Sequence, residues 1–426
     1  MNPGPSGGVS RGVRHRTRHP ALLAILLGVP LLVLAACGDA DPTGAPAAAA
    51  TIPAGGPLLL PTATGLASVE AASGTVAFEA PGAKASPDGS VVVRGVIRAD
   101  GSTRLTWLDP LDGRPIARVR LDEPASLRVV AADGRVAVGP PDVPVTGLIY
   151  PVARAQSPVS VVAPDGTVHT YPLPGSVEPE AFSTDGSGLF VLSYTPAGNP
   201  TEYQVNRLDL ESGEIGGVYG QDSADERQER MGGTARTQVW APDGSTVYTL
   251  YTQEVDGRAT SFIHVLNLDE GWAFCLDLPE PLGWDTPAAL AVAPGGGRLW
   301  VTEAAGHGAV VDTDTLEVVA TGDFPSPGAY GLAAVADGDR VFVGSESEIA
   351  VLDGTDLHQL ARWRTTRPII GLRRDDLDER LVAVTDGQLT TFPLDAPERD
   401  PAGRDLPYTS PLAVIDPTLP TAECAC

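Results

Sequence analysis

The chain is poor in the residues on which most protein chemistry depends. Its 426 residues include four cysteines, two methionines, six histidines and one lysine, Lys84. Soft-metal carriers are built from thiolate, thioether and imidazole donors, so this scarcity argues against one. Past the N-terminal region the histidines are His169, His264, His307 and His358. Each stands alone, without the H-x-H or H-E-x-x-H spacing that holds a metal. The same region contains no G-x-S-x-G elbow for a nucleophilic serine and no G-x-x-x-x-G-K-[ST] loop for phosphates. After residue 60 no useful stretch repeats its apolar residues at helical spacing, which excludes a helical fold. Positive charge is short as well. Lys and Arg number 29 against 54 Asp and Glu, a net charge of −25. Such a surface repels phosphate backbones, so no nucleic-acid partner is expected.

The first residues, by contrast, carry a clear signal. Residues 1–19 hold Arg11, Arg14, Arg16 and Arg18 and no acid. An apolar run from Ala21 to Ala36, interrupted by Pro30, ends in Leu34-Ala35-Ala36-Cys37. A basic start, a short apolar stretch and small residues before a cleavage point make a secretory signal. A membrane span needs about 20 apolar residues, more than this run supplies. The closing Cys resembles the lipobox of bacterial lipoproteins. That resemblance implies removal of residues 1–36 and lipidation of Cys37. It also implies several acyl chains, palmitate among them, since one chain alone binds a membrane only marginally. The protein is then expected at the cell membrane, lipid-anchored and facing the extracytoplasmic side. Loss of four arginines takes the net charge from −25 to −29. Cys275, Cys424 and Cys426 remain, and an odd number in an oxidising compartment leaves one thiol over. Pairing of Cys275 with Cys424 or Cys426 would pin the tail to the body. A redox or metal-binding Cys-Ala-Cys tail is the alternative, although no His or Met lies near it in sequence.

Residues 37–56, small and Pro-rich, read as a lipidated Cys followed by a flexible tether. Residues 396–426 read as a Pro-rich C-terminal tail. Between them, from 57 to 395, runs an internal repeat. Its turns are Ser86-Pro87-Asp88-Gly89, Ala132-Asp133-Gly134, Thr184-Asp185-Gly186, Pro242-Asp243-Gly244, Pro294-Gly295-Gly296, Ala336-Asp337-Gly338 and a degenerate Asp376-Leu377-Asp378. They fall roughly 40 to 58 residues apart, which suits four-stranded propeller blades. Asp-Gly marks tight hairpins, since Gly supplies positive φ and Asp caps the turn. Strand-length runs such as Leu189–Leu192, Val247–Leu250 and Arg380–Val384 follow the turns. A second turn then begins at Asp109, Asp209, Asn267, Asp312 or Asp353. The expected fold is all-β: a β-propeller of seven four-stranded blades closed by strands from both termini, with six or eight left open. Six blades start near residues 85, 126, 179, 236, 287 and 329. A seventh starts near Pro368 and would borrow its outer strand from Gly74–Glu79.

Residues 287–328, with Trp300-Val301-Thr302-Glu303 followed by Val311-Asp312-Thr313, resemble a blade of the YVTN family of surface propellers. Val239-Trp240-Ala241-Pro242-Asp243-Gly244 resembles the WD40-like repeat of TolB-type propellers. Such motifs imply architecture and leave function open.

Propeller ligands usually sit at a mouth of the central channel, which is lined by loops entering the innermost strands. That places Lys84, Arg128, Arg236, Trp284, Asp285, Tyr330 and Arg373 as candidate ligand-binding residues, able to engage an anion or a partner's carboxylates. Rim ion pairs are the alternative role for the cations. The polar loop 221–235 is a further candidate contact. The clusters Asp312–Asp314, Asp353–Asp356 and Asp375–Glu379 could offer oxygens to calcium, but hairpin Asx turns explain them without a metal. No catalytic set, cofactor or metal site is therefore expected. The sequence points to a monomeric ligand- or protein-binding, scaffolding module with an envelope protein as a possible partner. The alternative is a lactonase-like or quinone-dependent propeller enzyme with its site at the channel mouth.

Overall fold

The computed structural model describes residues 57–62, 65–70, 73–141, 151–220, 223–227, 230–282, 286–328, 332–375, 379–385, 388–394 and 403–407. Within them every regular element is a strand. No helix among them is long and apolar enough to cross a membrane.

The strands form eight sheets in chain order, each one blade of a propeller and antiparallel apart from one added strand pair in blade 5. Blade 1 has three strands, Leu58–Thr62, Gly65–Val69 and Val76–Pro81. Blades 2, 3 and 4 are four-stranded and span 83–121, 126–174 and 176–217. Blade 5, 219–277, adds the hairpin Tyr219–Gly220/Ser223–Arg227 to the edge of its strand Trp272–Asp277. Blades 6, 7 and 8 span 288–323, 333–364 and 369–407, again with four strands each. In blades 2–8 the first strand of the four-stranded core leads into an Asp-Gly-type turn where the sequence carries one. Successive first strands touch around the axis in blades 2–4 and 5–8.

The blade count is therefore eight, not seven, and the loan of a strand between termini is not observed. Residues 74–79 do not complete the last blade. Val76–Pro81 pairs with Gly65–Val69 inside blade 1, and blade 8 takes its fourth strand from Arg404–Pro407. Eight apolar clusters, one in each junction between neighbouring blades, close the ring. At the closing junction Leu58, Leu60, Ala67 and Val69 of blade 1 meet Val382, Val384 and Leu389 of blade 8. Both faces of an internal blade are thus buried, which is why the strands read as near-continuous apolar runs. Each buried Leu, Val or Phe contributes roughly 1.5–3 kcal/mol. Polar staples cross the same junctions. Trp107 Nε1 donates to Gly134 O at 2.7 Å, and Trp300 Nε1 donates to Gly354 O at 2.9 Å.

The turns follow the sequence pattern closely. Gly89, Gly186 and Gly244 have φ of 69°, 69° and 75°, and the carboxylates of Asp88, Asp185 and Asp243 accept the N–H two residues on.

Candidate functional site

Four of the anticipated residues lie on innermost strands. Lys84 is on Ala83–Ala85, Arg128 on Ser126–Val130, Arg236 on Thr234–Trp240 and Arg373 on Ile369–Asp375. Trp284, Asp285 and Tyr330 lie outside the described residues, as do Cys37, Cys424 and Cys426.

Three innermost strands carry a β-bulge at a charged residue. The register skips Arg128 between Leu127 and Val129, Glu180 between Pro179 and Ala181, and Arg236 between Ala235 and Thr237. A bulge leaves one residue out of the ladder and re-aims its side chain, a device common beside functional sites. Pro179, which cannot donate to a ladder, explains the irregularity in blade 4.

The side chains so placed interact across blades. Arg128 Nη2 lies 3.8 Å from Glu178 Oε1, with both side chains largely buried at 9% and 14% exposure. Arg128 also donates to Pro140 O at 3.1 Å. Tyr194 donates its hydroxyl to Glu178 Oε2 at 3.4 Å. Burial and the neighbouring Glu178 hold the Tyr194 hydroxyl well above its ordinary range. From blade 5, Gln238 Nε2 donates to Glu180 Oε1 at 2.8 Å and to Thr249 Oγ1 at 3.1 Å. Burial raises Glu180 to about 7, against the opposing pull of the Gln238 hydrogen bond. The negative charge of Glu178 adds to the rise, and the positive charge of Lys84 opposes it. Lys84, Arg128, Glu178, Glu180 and Gln238 thus join blades 2 to 5 into one polar wall. Facing strands Ala288–Val292 and Ala333–Asp337 of blades 6 and 7 are small and apolar apart from Asp337.

Arg373 stands apart from this group. It donates to Leu372 O at 2.8 Å, its Nε has no hydrogen-bond partner among the described residues, and burial lowers its pKa. The ion pairing expected of the cations is seen for Arg128 with Glu178, and beside Arg373 it falls to neighbouring positions. Arg374 meets Asp337 at 3.4 Å, and Arg380 meets Asp375 at 3.1 Å.

Glu178, Glu180, Tyr194 and Gln238 escaped the sequence reading. The available signal was Glu178-Pro179-Glu180, two carboxylates around a strand-interrupting proline.

The remaining candidates resolve as follows. Cys275, half-buried on blade 5, forms no disulfide with a described residue, so pairing with the tail lies outside the described residues. Within loop 221–235, Ser223–Arg227 forms a strand and Met231 bridges to Tyr203. The Asp312 carboxylate accepts the N–H groups of Asp314 and Thr315 at 3.1 and 2.9 Å. That of Asp353 accepts the N–H of Thr355 at 2.8 Å. Asp353, Asp356 and His358 place donor atoms within 4.8 Å of one another. Their shared work is a turn: the Asp356 carboxylate accepts the N–H of His358 at 3.0 Å.

No family model and no curated protein matches the chain. Among solved structures it is similar to the hydrazine synthase of Kuenenia stuttgartiensis, at 13% identity and a TM-score of 0.43, covering 77% of this chain and 89% of that one. It is also similar to BamB from Moraxella catarrhalis, at 16% identity and a TM-score of 0.42, covering 78% of this chain and 95% of that one.

Proposed function

We propose that the chain is a lipid-anchored, extracytoplasmic propeller of the YVTN and TolB-like kind. Its role is to bind a polar ligand, or a polar segment of an envelope partner, at the central channel. One observation carries this reading: charged and amide side chains from four successive innermost strands converge on one wall of the channel, two of them turned out of their ladders by bulges. Cations and carboxylates side by side suit a ligand bearing both signs, such as a small zwitterion or a peptide terminus. The acidic exterior fits a protein that meets its ligand away from anionic surfaces.

The test is a thermal-shift screen of the purified protein against amino acids, short peptides, sugars and quinones, with R128A and E180Q alongside. A ligand at 100 times its dissociation constant adds roughly 2.7 kcal/mol. The expected result is stabilisation of the wild type that both variants lose. Stabilisation retained by both would move the site away from this wall. A flat panel, with crosslinks at the membrane that both variants preserve, would remove the channel from the reading.

A second reading, a propeller hydrolase, is favoured by the same Glu180. A carboxyl that holds its proton near neutrality beside a second carboxyl is suited to general acid catalysis. Turnover of any panel member with a rate falling as pH rises through about 7 would establish it.

A further inference from the structure

The described chain contains one cysteine and one methionine, Cys275 and Met231, 44 positions apart, and their sulfurs meet. Cys275 Sγ lies 3.2 Å from Met231 Sδ. It lies 3.8 Å from Nδ1 of His264, its direct cross-strand partner in blade 5. Met231 is brought there by its backbone bridge to Tyr203 of blade 4. A thiol, a thioether and an imidazole from three separate segments therefore share one point in the junction between blades 4 and 5. We propose that this triad is a binding site for a soft monovalent cation of the copper(I) class.

The chemistry of the donors selects that class. Thiolate and thioether sulfur are soft ligands, and imidazole serves copper as well. The surroundings select the charge. Met231 and His264 are 5% and 4% exposed, and Tyr203, Tyr251, Phe262 and Ala273 pack around them. Tyr251 sets its ring edge-on to the His264 ring, 6.3 Å between centroids. An unbalanced charge in such a pocket is costly. A monovalent cation with one thiolate, a neutral imidazole and a thioether sums to zero, whereas a divalent ion leaves one positive charge over. On binding, the Cys275 thiol loses its proton to solvent and the Sγ–metal bond replaces the S–H bond. No electron moves. Half-buried Cys275 provides the entry side. The low count of soft donors in the sequence does not weigh against such a site, because a single site needs three donors that meet, not many that do not.

The test is an anaerobic titration of the full chain with copper(I) against a chromophoric chelator. Cys37, Cys424 and Cys426 are replaced by Ser, so that Cys275 is the sole thiol. The expected outcome is withdrawal of one equivalent, with an X-ray absorption signature of two sulfurs and one nitrogen. Cys275→Ser should abolish binding. Met231→Leu, which keeps the packing volume, should weaken it by about tenfold or more while the melting profile stays that of the parent. Three results would each overturn the proposal: no copper withdrawn by a folded parent, equal binding after Cys275→Ser, or undiminished affinity after Met231→Leu.

Discussion

Glu180 sits where its proton becomes a measure of the channel. Its unfolded value is near 4.5 and its folded value about 7. Below about 4.5 both states are protonated, and the group contributes nothing to the pH dependence. As pH rises from there through 7, the unfolded chain releases the proton while the folded one retains it, so stability is lost across that window and levels off above it. The full shift corresponds to about 3 kcal/mol at most, with the opposing pull of Lys84 and the Gln238 amide already included in it. Glu180→Gln removes the proton and the slope together. Denaturant unfolding of the two proteins from pH 4.5 to 8 should show the variant gaining on the wild type by that amount. Parallel curves would mean that Glu180 titrates as an ordinary surface carboxylate. The sequence showed the cations of this site but not its acids. Arg128 and Arg236 stood out against an acidic chain, whereas Glu178 and Glu180 were two acids among 54. What distinguishes them is burial and a bulge, neither of which composition records.

At the scale of single elements the glycine turns divide into two kinds. Gly244 adopts φ of 75°, and an added Cβ there would meet nothing within 4 Å. Gly244→Ala therefore carries only the left-handed backbone penalty of about 1–2 kcal/mol. Gly306 has φ of 93°, and a Cβ would also press against the carbonyl oxygen of Phe324. Gly306→Ala should cost clearly more than Gly244→Ala, because a backbone oxygen cannot move aside as a flexible side chain can. Denaturant midpoints of the two variants test this ordering, and equal midpoints would contradict the steric argument. The Asp-Gly turns were legible because their requirement is local: one residue must take positive φ and its neighbour must cap the turn. The hairpin Tyr219–Gly220/Ser223–Arg227 was not, because its place on blade 5 depends on a parallel pairing with Trp272 and Ala273 more than fifty residues away.

For the whole molecule, the same contrast explains the blade count. Blades 2 to 8 announced themselves by repeated turns, but blade 1 shows no Asp-Gly in its described strands and follows a stretch of sequence rich in Ala, Pro and Gly. Its assignment depends on the far end of the chain, where Val382, Val384 and Leu389 receive Leu58 and Leu60. A ring closed by packing has no independent end, since each blade buries both faces only when its neighbours are present. Damage at the closing junction should therefore be felt everywhere. Leu60, 2% exposed, is the probe: Leu60→Ala should cost about 2–5 kcal/mol and leave unfolding a single transition. Trp300 and Trp363 lie in blades 6 and 7, remote in sequence from residue 60 and fully buried at 0% exposure. Tryptophan fluorescence and far-UV circular dichroism should shift by the same amount in the variant and remain superimposable. An early transition in circular dichroism, with the tryptophan signal unmoved, would show blade 1 detaching from a ring that stands without it.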